Sequence, residues 1–280
     1  MRHLCVLAVA LTALVTVVSG AQADGSPYAP GLVQGASGAL APSGGTRYVT
    51  LATARSTVVA AIGVRNGLVR RSTALRGFYG VPIIAWDGST GGVSGDGRTL
   101  TLASYGPLPG DVGVTRFVLL RTRTLRKTHA FALQGSWAFD AISPDGSKLY
   151  LVEYLSAGNS PHYRVRSLTT STGRLDPEPI VDRREAEVTM RGQPVTRRTS
   201  RDGRWAYTLY ARGREPFVHA LDTVEGEAYC IDLPIRLRQL EQMGLRLRVG
   251  AHDRLDVRRG RVTLAVVDTE RLVLRSVRTG

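Results

Sequence analysis

Two alternating apolar runs joined by an Asp-Gly turn recur along this chain at a spacing of about fifty residues, and that recurrence limits the possible folds more than any other feature. The clearest copy is "AISPDGSKLYLVEY" at 141–154. Counterparts are "ALAPSGGTRYVTLAT" at 39–53, "GGVSGDGRTLTLASY" at 91–105, "RRTSRDGRWAYTLY" at 197–210 and a weaker "LRLRVGAHDRLDV" at 245–257. The turn glycines Gly45, Gly97, Gly146 and Gly203 are 52, 49 and 57 residues apart, and the fifth turn falls near Asp253, 50 beyond Gly203. Alternation of β-branched and aromatic residues on either side of a turn specifies a β-hairpin. The pairs Asp96-Gly97, Asp145-Gly146 and Asp202-Gly203 supply the turn: the carboxylate bonds its own backbone and glycine takes positive φ without a steric penalty. These six residues are read as structural.

A second pair of runs follows each hairpin. Its first members are "VVAAIGV" (58–64), "RFVLLRT" (116–122), "YRVRSLT" (163–169), "FVHALDT" (217–223) and "VTLAVVDT" (262–269). Each unit is therefore four short antiparallel strands, and there are five units. A four-stranded sheet repeated in tandem has two faces to bury, and stacking copies around an axis buries both. The expected fold is all-β, a β-propeller of about five four-stranded antiparallel blades, with six or seven possible. The repeats lie near 39–90, 91–138, 139–195, 196–244 and 245–280, within one domain spanning 24–280. A β-sandwich uses the same strands but gives no reason for a fixed period. Residues 234–244, "PIRLRQLEQMG", break the β pattern and suit a short helix ending at Gly244.

"SPDGSKLYL" at 143–151 and "FVHALDTVEGEAYCIDLP" at 217–234 resemble the secreted bacterial propeller repeats of the YVTN, TolB-like and WD-repeat-like families. In those repeats a Ser-Pro-Asp-Gly-Lys turn precedes an apolar strand, and a later strand ends in Asp-Thr before a glycine turn. The resemblance covers nearly all of residues 24–280 and implies a blade architecture without implying an activity. This chain departs from the usual ring of six or seven blades, and its first and fifth copies lack the Asp-Gly pair.

Residues 1–23 have a basic start (Arg2, His3), an apolar run from Leu4 to Val18 and an Ala-x-Ala end at Ala21 to Ala23. That layout reads as a secretory signal peptide cleaved after Ala23. The run is shorter than the roughly 20 apolar residues that span a bilayer. The expected location is secreted or cell-envelope, with no membrane span once the leader is removed. Cys5 would leave with the leader. Cys230 would remain as a single thiol that closes no internal disulfide, and a lone Cys among alternating apolar residues reads as a small buried hydrophobe.

The formal charge is +14, carried almost wholly by arginine, with Lys127 and Lys148 the only lysines. The basic residues are scattered, whereas a nucleic-acid footprint clusters on one element. Nucleic acid is therefore not an expected partner. A protein or an anionic polysaccharide is, and the chain is expected to be a monomer. The histidines beyond the leader, His129, His162, His219 and His252, show no ligand spacing, and His219 falls in mid-strand as an ordinary core or surface residue. No Gly-x-Ser-x-Gly elbow and no phosphate loop is present. No catalytic residue, metal ligand or cofactor is assigned.

In a propeller the loops between second and third strands share an end with the blade-to-blade connections. Those loops carry Arg55, Tyr105, Tyr154 with His162, Arg212 with Arg214, and Arg258 with Arg259. Arginine and tyrosine together suit recognition of anions and planar groups. The sequence thus reads as an exported, non-enzymatic binding or scaffold module. The alternative is a propeller-type hydrolase or lactonase with an axial active site, which convergent carboxylates or histidines on the axis would mark.

Overall fold

The computed structural model describes residues 37–107, 111–156, 162–184, 189–251 and 254–277. The leader expected at 1–23 and the turn expected near Asp253 lie outside these residues. The described chain is all-β apart from one helical turn. It forms five antiparallel sheets, each a meander of strands consecutive in sequence.

Blade 1 holds β1 (Ala39–Leu40), β2 (Thr46–Ala52), β3 (Ser56–Gly63) and β4 (Val69–Arg76). Blade 2 holds β5 (Thr99–Ala103), β6 (Val114–Arg121) and β7 (Arg126–Gln134). Blade 3 holds β8 (Trp137–Ile142), β9 (Lys148–Tyr154), β10 (Tyr163–Thr169) and β11 (Arg174–Leu175). Blade 4 holds β12 (Gln193–Thr199), β13 (Trp205–Ala211), β14 (Phe217–Asp222) and β15 (Glu227–Asp232). After the helical turn α1 (Gln239–Gln242), blade 5 holds β16 (Leu245–Val249), β17 (Arg254–Arg259), β18 (Val262–Asp268) and β19 (Val273–Val277).

Blade 2 has three ladder strands rather than four. Its innermost position is filled by the glycine-rich 91–97 stretch, which touches the sheet through a single bridge, Val93 to Leu100. Gly92 there has φ of 103°, outside the extended region that a continuous ladder needs.

The last strand of each blade is its least buried. All six residues of β8 are buried, whereas β4 and β7 are mostly exposed. Alternation across each strand then fills the spaces between blades. In β9, Leu149 and Leu151 join Phe117 and Leu119 of blade 2, while Tyr150 and Val152 turn toward blade 4. Full burial of one such side chain contributes about 1.5–3 kcal/mol. Equivalent clusters join blades 1 and 2 (Tyr48, Val59, Leu100, Leu120) and blades 4 and 5 (Leu209, Val218, Leu247, Val257).

The turns repeat one hydrogen-bond design. Asp145 accepts from the hydroxyl of Ser143 at 2.7 Å and from the Ser147 N–H at 3.0 Å, and the Ser143 hydroxyl in turn accepts from the Lys148 N–H at 2.9 Å. Ser94 with Asp96, and Ser200 with Asp202, repeat this pattern. The following glycine has φ of 70°, 75° and 77° at Gly97, Gly146 and Gly203.

One connection departs from the nearest-neighbour scheme. Residues 81–90, which link blade 1 to blade 2, cross to the inner edge of blade 4. Trp86 and Asp87 donate their N–H groups to the carbonyls of Pro194 and Val195 at 2.9 and 3.0 Å. Asp87 also lies 3.8 Å from the Arg246 guanidinium of blade 5.

Candidate functional site

The loops between second and third strands do share an end with the blade-to-blade connections. Gly77, following β4, donates to the Arg55 carbonyl at 3.1 Å; Tyr154 donates to Ser136 at 3.0 Å; Leu237 donates to Arg214 at 3.0 Å. Among the residues expected to face a ligand, Arg55, Tyr105 and Arg214 are exposed. His162 is half-buried, its N–H donated to the Ser156 hydroxyl at 3.1 Å. The guanidiniums of three others are engaged within the protein: Arg212 with Asp232 at 2.6 Å, Arg259 with Glu241 at 3.4 Å, and Arg258 with the Arg261 carbonyl at 2.8 Å.

Two of these residues are brought together indirectly. The Tyr154 ring packs on Tyr163 (centroids 6.0 Å apart), Tyr163 on Tyr210 (5.8 Å) and Tyr210 on Phe217 (5.1 Å), and Arg212 covers Phe217 at 4.7 Å. This aromatic ladder joins blades 3 and 4. Tyr154 is thus turned into the joint rather than toward solvent, and burial raises its hydroxyl pKa well above the ordinary tyrosine range.

At the opposite end the Asp-Gly turns converge. Asp96 donates its N–H to the Pro144 carbonyl at 2.8 Å. Gly95 sits so close to blades 3 and 4 that a Cβ there would meet the Asp202 carbonyl oxygen and Pro144 Cα at 3.1 Å. Above these turns lies an axial depression of about 340 Å³. Its wall is mainly small and apolar, including Ala39, Ile84, Gly91, Val93, Phe139 and Ala141. Its one carboxylate is Asp140, 2% exposed, which is paired with the Arg197 guanidinium, 5% exposed.

Asp140 is the extra residue at a register shift between β8 and β9, so a polar side chain enters an otherwise apolar strand. It meets a polar row that crosses blade 4 in register: Arg197, Thr208, His219 and Cys230. This row separates two apolar clusters of the same interface, one around Tyr150 and Leu221 and one around Tyr163 and Phe217. His219 is 1% exposed, neither ring nitrogen has a hydrogen-bond partner, and burial pushes its pKa down to about 4. At the rim, Asp182 accepts from the Cys230 N–H at 2.6 Å and from the Arg184 guanidinium at 2.7 Å. Desolvation opposes the charged form of Asp182, but these bonds outweigh it and hold the carboxyl below its usual range.

Sequence reasoning passed over Asp140, Asp182 and Arg197. The available signal for Asp140 was a lone carboxylate inside the apolar run "WAFDAI". His219 is a core residue, as expected of a mid-strand histidine, but its ring is not satisfied by the surrounding protein.

Five consecutive antiparallel sheets, each with its last strand the least buried and packed face to face in series, define a β-propeller module. No protein-family model matches the chain, and no curated sequence matches it. It is similar in structure to TolB from Acinetobacter baumannii (15% identity, 71% of this chain and 45% of that one, TM-score 0.40). It is also similar to the Cps50 (Swd1) β-propeller domain of Myceliophteria thermophila (10% identity, 79% and 61%, TM-score 0.45). A third similar structure is the uncharacterized protein lmo1340 from Listeria monocytogenes (9% identity, 89% and 95%, TM-score 0.39). The chain spans under half of the TolB structure and under two thirds of the Swd1 domain.

Proposed function

We propose that this chain is an exported β-propeller that acts as a binding or scaffold module rather than as a hydrolase. One observation carries the reading. The axial depression, where a propeller-type hydrolase or lactonase would hold its reacting groups, is walled mainly by small and apolar side chains, and its single carboxylate is already neutralised by Arg197. A buried carboxylate whose charge is already balanced by a guanidinium offers no uncompensated charge to an entering substrate. Function in such a module lies in the loops carried by the rigid blades. The exposed Arg55 and Arg214 on the connection-bearing end favour an anionic partner, either a protein or a polysaccharide. Among the described residues no helix is long and apolar enough to cross a membrane. Export rests on the leader pattern at 1–23.

The purified chain is assayed on a panel of lactones and esters, and in parallel for retention on immobilised dextran sulfate. The expected result is turnover no higher than the uncatalysed rate, with retention that weakens when Arg55 and Arg214 are replaced by Ser. Turnover that disappears in an Asp140→Asn chain still folded by circular dichroism would replace this reading with the hydrolase. Retention indifferent to both arginines would move the binding surface away from the loops. N-terminal sequencing of the exported chain should begin at Asp24.

A further inference from the structure

At the rim of the joint between blades 3 and 4, a cavity of about 70 Å³ lies between the 180–182 and 189–191 segments and the outer strands of blade 4. Met190, His219 and Cys230 line it. His219 and Cys230 are direct cross-strand partners, which puts their side chains on one face with Cβ atoms about 4.5–5.5 Å apart. Met190 is fixed against β10 by two backbone bonds with Tyr163, of 3.1 and 2.7 Å, and its side chain packs in the same cluster as Cys230 and Phe217.

The cavity limits its own occupant. It has room for little more than a couple of waters, far below the roughly 300 Å³ at which organic-ligand pockets begin. Hard cations such as calcium require several oxygen ligands, and the one carboxylate lining the cavity, Asp182, is committed to Arg184 and the Cys230 N–H. Zinc takes four ligands drawn from thiolate, imidazole and carboxylate, and a thioether is not among them. Thiolate and thioether sulfur select Cu(I), and imidazole also suits copper. His219 independently calls for a partner. It is 1% exposed with both ring nitrogens unpartnered, and a buried polar group left in that state costs about 1–3 kcal/mol.

We propose that Met190, His219 and Cys230 form a binding site for one soft monovalent cation of the Cu(I) class. On binding, the Cys230 thiol releases its proton to solvent. The thiolate, one His219 ring nitrogen and the Met190 thioether each donate a lone pair, and the oxidation state of the metal does not change. The thiolate charge cancels the cation charge, so the occupied site is electrically neutral, as a poorly hydrated joint requires. Among the described residues no group of three or more His, Cys, Asp or Glu side chains is placed to hold a metal. The set reaches three ligands only through the thioether, and its members, far apart in sequence, show none of the spacing by which a metal motif is recognised. The assignment goes beyond the reading as a binding module and does not depend on it.

The test uses the full chain carrying Cys5→Ser, so that Cys230 is the only thiol. Cu(I) is added under anaerobic conditions against bicinchoninate as a coloured competitor. The expected result is one Cu(I) per chain with a near-ultraviolet thiolate-to-copper band. Cys230→Ser should weaken binding by at least about 100-fold, the upper end of what loss of a mere outer partner costs, and Met190→Leu by about 10-fold. Met190→Leu conserves volume and so keeps the fold if His219→Gln does not. Copper uptake unchanged in the Cys230→Ser chain overturns the proposal. So does uptake that needs the thiol but ignores Met190, or Zn(II) held in preference to Cu(I).

Discussion

The hydroxyl of Thr122, at the end of β6, donates to the carbonyl oxygen of Gly97 in the Asp-Gly turn of the same blade, at 2.7 Å. Thr170 makes the same bond to Gly146 at 2.9 Å and Thr223 to Gly203 at 3.2 Å. The Asp-Gly turn and the threonine 20 to 25 residues later are therefore two halves of one latch, which ties the first hairpin of a blade to the second.

Replacing Thr170 by Val keeps the shape and removes the donor. Thr170 is buried and also serves the Ser147 carbonyl at 3.1 Å. The Ser147 carbonyl keeps the Thr170 N–H at 2.9 Å, but the Gly146 carbonyl loses this donor, at a cost of about 1–3 kcal/mol. Urea unfolding should show the midpoint falling with an unchanged slope.

Two turn glycines separate conformational strain from crowding. Gly44 has φ of 72° with nothing near its missing Cβ, so Gly44→Ala should cost about 1–2 kcal/mol, the left-handed penalty alone. Gly203 has φ of 77°, and a Cβ there would lie 3.0 Å from the Cα of Gly95, a backbone atom that cannot swing away. Gly203→Ala should cost about 1–3 kcal/mol more than Gly44→Ala. Equal losses in paired thermal melts would mean that the turns do not pack on one another.

Arg197→Met strands the Asp140 carboxylate inside the joint. Breaking one partner of a buried pair costs about 3–5 kcal/mol, whereas replacing both is often nearly neutral. The double variant Asp140→Leu with Arg197→Met should therefore melt above the Arg197→Met single variant. If it melts at or below that single variant, the pair contributes more than mutual neutralisation.

The turn carboxylates set an acid limit. Hydrogen bonds from Ser143, from the Ser147 N–H and from the Ser147 hydroxyl hold Asp145 below its usual 3.8, and Ser200 leads the same effect on Asp202. A depressed folded-state pKa means that this contribution is complete above the unfolded value and is lost as pH falls through the folded one. Melting temperature should therefore decline below about pH 4. Asp145→Asn, which keeps an acceptor but cannot titrate, should flatten that decline.

The blades were legible because their determinants are local. Asp145-Gly146 writes a turn, and Leu149 to Val152 assign alternate faces, within a few residues of sequence. The candidate site was not, because it is assembled by registers between distant strands. Nothing near His219 in the sequence announces that Cys230 stands opposite it, or that Met190 returns to the same joint. Asp140 reaches Arg197 only through a one-residue bulge, and a bulge leaves no compositional mark. Tyr154 stands at a strand end, where the sequence predicts a loop residue, yet its ring follows the strand's alternation into the aromatic ladder. Blade 2 lost a ladder strand because glycines at 91–97 satisfy a turn pattern without holding an extended one.

The crossing segment at 81–90 changes how the molecule can come apart. A tandem array in which each copy touches only its neighbours behaves as a one-dimensional chain and can peel from either end. Here Trp86 and Asp87 are fastened to Pro194 and Val195, and the Ser89 hydroxyl accepts from the Arg197 N–H at 3.3 Å across 108 residues. That brace makes the first four copies a single cooperative block: the early part of the chain must wait for β12 before its own link is secured, and fraying from the front end is resisted by the fourth copy. Contacts of such long sequence separation slow folding in exchange for resistance to piecemeal unravelling.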